Sequence, residues 1–221
     1  MSTFASKLSA SLLIAPALLA ASMATHAYQA GDVIVRTGAV AVDPQESSGN
    51  VKIDGEPRPL KVGVDSNVQL GLTGTYMLTD NLGLGLLAAT PFKHTINLNG
   101  VGELADIKHL PPTLTLQYFP MASSSVWQPY VGAGINYTTF FSESFKTPFK
   151  EDFRSLSLKD SWGLALEAGL DYRLTENIVL NAAVWYADID TEATFRVGDA
   201  RGKVSVDIDP FVYMLGVGYK F

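Results

Sequence analysis

Large apolar residues alternate with small or polar ones along much of this chain. That period of two belongs to strands whose two faces meet different surroundings. The pattern runs through "GDVIVRTGAVAV" (31–42), "SNVQLGLTGTYML" (66–78), "LGLGLLAATPF" (82–92) and "HLPPTLTLQYF" (109–119). It continues in "QPYVGAGINYTTFF" (128–141), "SWGLALEAGLDYRL" (161–174), "NIVLNAAVWYADID" (177–190) and a last stretch over about 204–221 that ends "PFVYMLGVGYKF". Val68, Leu70, Leu72 and Tyr76 share one face of the second segment, and Trp162, Leu164, Leu166, Ala168 and Leu170 one face of the sixth. The opposite faces hold mostly Gly, Ala, Thr and scattered charges. Each segment is close to, or somewhat longer than, the ~9–11 residues a tilted membrane strand needs.

The connectors alternate in length. "TDN" (79–81), "MASSS" (121–125) and "TEN" (175–177) are short and turn-like, whereas 43–65, 93–108, 142–160 and 191–203 read as longer polar loops. Short turns at one rim and long loops at the other are the asymmetry of an outer-membrane barrel. The expected architecture is an all-β, eight-stranded antiparallel transmembrane β-barrel with short periplasmic turns and long extracellular loops. Its large side chains face lipid. Tyr172, Tyr219 and Phe221 fall near the periplasmic rim, and Tyr137, Phe141, Trp162 and Tyr186 toward the outer one. The last strand must pair with the first to abolish the sheet edge, and Phe221 is the kind of C-terminal residue that barrel-insertion machinery reads. A soluble lipocalin-like barrel is the alternative, with the opposite sense of alternation.

Residues 1–27 carry Lys7, an apolar run from Leu8 to about Ala21, and small residues up to Ala27. They read as a secretory signal peptide, leaving 28–221 as the barrel. A membrane anchor is the alternative, but the run is shorter than ~20 apolar residues and contains Pro16. The formal net charge is −6, which disfavours nucleic acid as a partner because nucleic-acid binders show a basic stripe. The absence of cysteine removes thiol and disulfide chemistry. An exported, greasy chain without a long apolar run points to strands as the membrane-crossing element, since a closed barrel satisfies its own backbone. The Gram-negative outer membrane is the expected location, with its lipid as a partner.

Eight strands enclose a space just wide enough for side chains, so the second face decides what passes. Many glycines fall on it, including Gly85 and Gly169, and so many small residues leave room for a narrow tunnel. Strand direction puts Arg36, Gln117, Asp171, Arg173 and Lys220 low in the barrel, with Glu167 and Asn181 near or below the middle. These form either a charge-paired plug or the ordinary polar filling of a small barrel. Leu87 and Trp185 point inward at similar height above them, as an apolar constriction or as two packed core residues. Pro91 ends the third segment and Pro111–Pro112 open the fourth, so the prolines of neighbouring strands fall together. Each removes a ladder donor. The pattern suggests a weakened wall and a lateral opening there, or simply strand ends.

Sequence-local catalytic chemistry is missing. His94 and His109 lack a third partner at a suggestive spacing and read as loop residues. "DIDTE" (188–192) and "VDIDP" (206–210) are acidic but lack the glycine-containing spacing of a dedicated Ca²⁺ loop, so no metal and no cofactor are expected. "GVGELAD" (100–106) has no strand–helix context for a phosphate loop. A barrel enzyme that modifies lipid stays as a rival class.

The segments "NVQLGLTGTYMLTDNLGLGLLAATPFKH", "HLPPTLTLQYF", "QPYVGAGINYTTFF", "SLKDSWGLALEAGLDY", "VWYADIDTEA" and "DPFVYMLGVGYKF" resemble the outer membrane protein W (OmpW/AlkL/OprG) family across nearly the whole of 28–221. The resemblance implies an outer-membrane barrel with a hydrophobic channel open outward, passive uptake of small hydrophobic solutes, and lateral release into the membrane. It also implies a constriction at the Leu of "LLAATPF" and the Trp of "VWYADIDT", which are Leu87 and Trp185. Gly85 stands where relatives often carry an acidic residue. A non-transporting barrel, acting in adhesion or stress protection through its loops, is the other reading.

Overall fold

The computed structural model describes residues 28–147 and 149–221; the signal peptide read at 1–27 lies outside the described residues. Eight strands form the barrel: β1 (Val33–Asp43), β2 (Asn67–Met77), β3 (Leu82–Ala89), β4 (Thr113–Tyr118), β5 (Trp127–Phe145), β6 (Ser161–Arg173), β7 (Ile178–Ala187) and β8 (Phe211–Lys220). Each pairs antiparallel with its neighbour in sequence, and β1 pairs with β8, so the sheet closes on itself. The closing register sets Val35 opposite Tyr219 and Val42 opposite Val212. The Phe221 N–H extends it by donating to the Val33 carbonyl at 2.9 Å. No barrel edge is left to pair with another chain.

Two of the short turns share a local code, "LTDNL" (78–82) and "LTENI" (174–178). In the first, the Thr79 hydroxyl accepts from the N–H groups of Asn81 and Leu82 at 3.3 and 3.0 Å. In the second, Thr175 does the same for Asn177 and Ile178 at 3.3 and 3.0 Å. A threonine hydroxyl thus replaces the backbone partner the turn lacks, which is why so few residues reverse the chain.

The alternation sorts as its pattern demands. Leu70, Leu84, Leu116, Ile135, Leu166 and Leu215 are exposed on the outside of the wall. Aromatic rings bracket this band: Trp127 lies 4.5 Å from Tyr172 and Tyr219 4.8 Å from Phe221 at the short-turn rim, and Tyr137 lies 4.6 Å from Trp162 and Tyr186 5.6 Å from Phe211 at the other. Such girdles mark the two interfaces of a membrane barrel.

Above the outer girdle the structure departs from the expectation of polar loops. The long connectors fold into a strand-built extension. One hairpin joins Phe92–Leu98 to Gly102–Leu110, and a second joins Asp190–Val197 to Ala200–Asp207. Short strands at 47–48, 51–53 and 56–58 pair onto or beside the second hairpin, and 62–64 pairs with the first. The last barrel strand is also shorter than its sequence pattern suggested. Pro210, which has no N–H to give a ladder, separates Ala200–Asp207 from β8. In the extension the apolar side chains turn inward. Ile96, Leu104, Ile107, Phe145, Val204 and Val206 share one buried cluster while Lys93, Lys108, Lys203 and Asp207 face out.

Candidate functional site

The lower lumen is closed by a continuous hydrogen-bonded network. Arg36 Nε and Nη2 donate to the Asp171 carboxylate, with the Nη2 bond at 2.5 Å, and Arg36 Nη1 donates to the Thr75 hydroxyl at 2.8 Å. Thr75 passes its proton side to Gln117 Oε1 at 2.9 Å, and Gln117 Nε2 donates to Glu167 at 2.9 Å. Thr115 also donates to Glu167, at 2.6 Å. Tyr28 and Asn181 complete the Asp171 shell at 2.5 and 2.8 Å, and the Arg36 guanidinium lies 5.4 Å from the centre of the Tyr130 ring. Every one of these side chains is buried. A buried charge is tolerated only when paired and hydrogen-bonded, and Arg36 spends all three of its nitrogens inside the network.

Five of the residues expected in a plug are therefore brought together: Arg36, Gln117, Glu167, Asp171 and Asn181. Arg173 and Lys220 lie lower, at the rim. Arg173 donates to the Ser124 carbonyl at 3.2 Å, and Lys220 Nζ is 3.7 Å from Asp32. The network also holds four residues that sequence reasoning missed: Tyr28, Thr75, Thr115 and Tyr130. Strand parity could have found Thr75, Thr115 and Tyr130, each of which occupies an inward position.

The inward glycines do not leave a tunnel at this level. A Cβ on Gly85 would collide with the Gln117 side chain, and one on Gly169 with the Tyr130 ring. The absent side chains are the room into which larger neighbours fit, a close-approach role for strand glycine.

Above the plug the lining turns apolar. Trp185 sits opposite Glu167 across the β6–β7 pair and opposite Val212 across β7–β8. Leu87 and Trp185 are both buried and line one small cavity of about 10 Å³ together with Val42, Pro111, Val212 and His109. A second cavity of about 10 Å³, the neck below the extension, follows between His94, His109, Ile107, Phe140 and Ile208. The extension then encloses about 220 Å³ walled by Val51, Ile96, Leu104, Phe145, Phe153, Val204 and other apolar side chains. Among the described residues, Thr191 carries the one hydroxyl in that wall. Apolar cavities of ~150 Å³ stay dry and take benzene-sized molecules, so this vestibule has room for a small hydrophobic solute.

The proline seam has a definite geometry. The β3–β4 pairing stops at Leu87 opposite Thr113 and resumes only at Phe92 opposite His109. Between them, Pro111 and Pro112 offer no N–H, and their carbonyls are engaged by β5. Asn136 donates to Pro111 O at 3.2 Å, and the Tyr137 N–H donates to Pro112 O at 3.0 Å. Pro91 and Pro112 are exposed on the outer wall, whereas Pro111 reaches the cavity of Leu87 and Trp185. The interruption lies level with Tyr137 and its girdle.

His94 and His109 are not solvated loop residues. Both are buried, with ring centroids 4.8 Å apart. Burial holds His94 below the ordinary histidine range, and burial with the neighbouring His94 pushes His109 down to about 3. Asp188, Asp190 and Asp209 bring carboxylate oxygens within 4.8 Å of one another at the rim, in a partly exposed cluster such as acidic loops often form.

An apolar belted wall, a lumen filled low down by a charge-paired floor and an apolar cavity above it define a small outer-membrane β-barrel. Comparison with known proteins narrows this. The OmpW family model matches residues 29–221, and the chain belongs to that family. It is 45% identical over 218 residues to outer membrane protein W of Escherichia coli strain K12, covering 97% of this chain and 99% of that protein. The crystal structure of outer membrane protein OprG from Pseudomonas aeruginosa is similar, with a TM-score of 0.85 and 53% identity over 88% of this chain and 97% of that one. A more distant relative, 24% identical over 80% of this chain and 82% of its own length, is the dibenzothiophene metabolism operon protein PahQ of Pseudomonas aeruginosa. The protein is accordingly a Gram-negative outer-membrane barrel.

Proposed function

We propose that this barrel is a passive, non-catalytic conduit for small hydrophobic molecules. A solute enters the vestibule from outside, passes the constriction at Leu87 and Trp185, and leaves sideways into the membrane through the seam at Pro91, Pro111 and Pro112. The observation that carries this reading is an apolar cavity set above a buried, hydrogen-bonded polar floor, with only the two small spaces at Leu87, Trp185 and the histidines between them. In this reading the buried floor blocks water and ions, and its charges give an apolar molecule in the vestibule no favourable way down. The interrupted β3–β4 ladder offers it lipid at the level of the girdle. The association of PahQ with dibenzothiophene metabolism, which concerns an apolar aromatic compound, agrees with that solute class. In this reading the partners are outer-membrane lipid, the solutes themselves, and the barrel-insertion machinery, which takes hold at the exposed Phe221.

The test is uptake of a graded series of apolar solutes by cells that carry the wild-type protein, its Trp185→Ala variant, or neither. The conduit reading expects uptake above the empty strain and a further rise when the Trp185 ring is removed. A barrel acting only through its loops gives three equal rates. A lipid-modifying enzyme gives a chemically altered lipid that disappears when His94 and His109 are replaced.

A further inference from the structure

We propose that the neck recognises the polar head of its solutes, with His94 Nε2 accepting a hydrogen bond from a hydroxyl, so that the preferred passengers are hydrophobic molecules bearing one hydrogen-bond donor rather than bare hydrocarbons. This rests on the conduit reading and adds the chemistry of the solute's head.

The protonation pattern of His94 follows from its partner. Its Nδ1 contacts the backbone carbonyl of Asp65. A carbonyl only accepts, so Nδ1 carries the proton and Nε2 of the neutral ring presents a bare lone pair. That Nε2 is buried and has no hydrogen-bond partner among the described residues. The adjacent His109 cannot supply one. The two rings are stacked, 19° from parallel with centroids 4.8 Å apart, and a ring N–H lies in its own plane, alongside the neighbouring lone pair rather than pointing at it. The hydroxyl of Thr138, which also borders the neck, is already given to Asn136 at 2.7 Å. The segment is held in place from behind, where Asn97 donates to the Asp65 carboxylate at 2.8 Å.

Buried polar atoms in native proteins are hydrogen-bonded as a rule, and an exception calls for a cause. Here His94, which carries the orphan acceptor, lines a cavity of about 10 Å³, room for a single water-sized group, between the vestibule of about 220 Å³ and the Leu87–Trp185 constriction. Val64, Ile107 and Ile208 line both the vestibule and the neck, so the two spaces are continuous in their walls. A molecule with its chain in the vestibule and its hydroxyl in the neck satisfies the acceptor and leaves no polar atom against the apolar wall. Sites built to bond a substrate hydroxyl reject analogues that lack it, because their own polar group is left unpaired.

Two isomers of equal size provide the test: octan-1-ol, which donates a hydrogen bond, and 1-methoxyheptane, which only accepts. Binding is measured in phosphatidylcholine nanodiscs against protein-free discs, with the ¹⁵N resonance of His94 Nε2 followed through each titration. The expected result is octanol binding about tenfold tighter, the gain of one hydrogen bond, with a shift of the Nε2 resonance that the ether does not produce. His94→Phe keeps the ring and loses the acceptor. It should abolish the preference, and His94→Gln should restore part of it. Equal binding of the two isomers, a still Nε2 resonance, or a preference that survives in His94→Phe overturns the assignment. The wild-type resonance decides this even where a variant fails to fold. If neither isomer binds at all, the conduit reading falls as well.

Discussion

Arg36 and Asp171 lie 135 positions apart in the chain and meet at 2.5 Å with both side chains 1% exposed. Asp171 also collects Tyr28 and Asn181, so the pair is a junction between β1, β6, β7 and the segment before β1. Asp171→Ala strands a buried guanidinium and should cost about 3–5 kcal/mol of stability, the usual penalty for breaking a buried pair from one side. Arg36→Met combined with Asp171→Leu removes both charges and should recover most of that loss. Urea titration of the barrel in phosphatidylcholine vesicles measures both, and a double variant no more stable than the single one would count against the pairing argument.

The fit between Gly169 and Tyr130 should be equally sensitive. Gly169→Val drives a side chain into the Tyr130 ring and should destabilise by about 1–3 kcal/mol, the range for overpacking. Tyr130→Ala in the same chain vacates that space, so the two substitutions together should be less harmful than their separate effects added. The same titration reads this coupling.

Replacing Pro91 and Pro111 with threonine and valine returns two N–H donors to the seam. Extension of the β3–β4 ladder across it should slow uptake of apolar solutes in the whole-cell assay, with the barrel still correctly assembled. Unchanged uptake would remove the sideways route.

The stacked histidines make the extension sensitive to acid. The unfolded chain takes up a proton near pH 6.5, whereas folded His109 resists until about 3. The folded form is therefore most stable above pH 6.5 and weakens as pH falls toward 3, by up to ~1.4 kcal/mol per pH unit for this residue. Depressed His94 adds in the same direction. Protection factors at Phe92, His109 and Phe140, referenced to the intrinsic exchange rate at each pH, should fall over that window while the barrel amides keep theirs, and His109→Phe should flatten the dependence.

The membrane half of this molecule is legible in its sequence because one solvent faces every strand there, and a single period of two reports it. The same parity turned Leu87 and Trp185 inward and put Arg36 and Asp171 at a common depth. Parity turns Tyr130 inward too, but the room for so large a ring on a glycine-rich face comes from Gly169, its neighbour across the β5–β6 pair. The extension was harder to read. Its register shifts between Phe141 and Ser144 and between Arg154 and Ser157, and Asp54, Ser142 and Ser155 adopt left-handed backbone. Each bulge resets the alternation, and the strands at 47–53 find their partners some 150 residues away in Ala200–Asp207. His94 and His109 looked like loop residues for the same reason.

The sense of the wall inverts at the ring of Tyr137, Trp162, Tyr186 and Phe211: grease outside below it, grease inside above it. That inversion works like a ship's waterline. Sliding the molecule deeper would drown Lys93, Lys108 and Lys203 in acyl chains, and raising it would lift the leucine band into water. Its draught is thus written into the chain, and a thicker bilayer has to thin around it, at a fraction of a kcal/mol per Å, to keep the seam afloat at the surface of the oil.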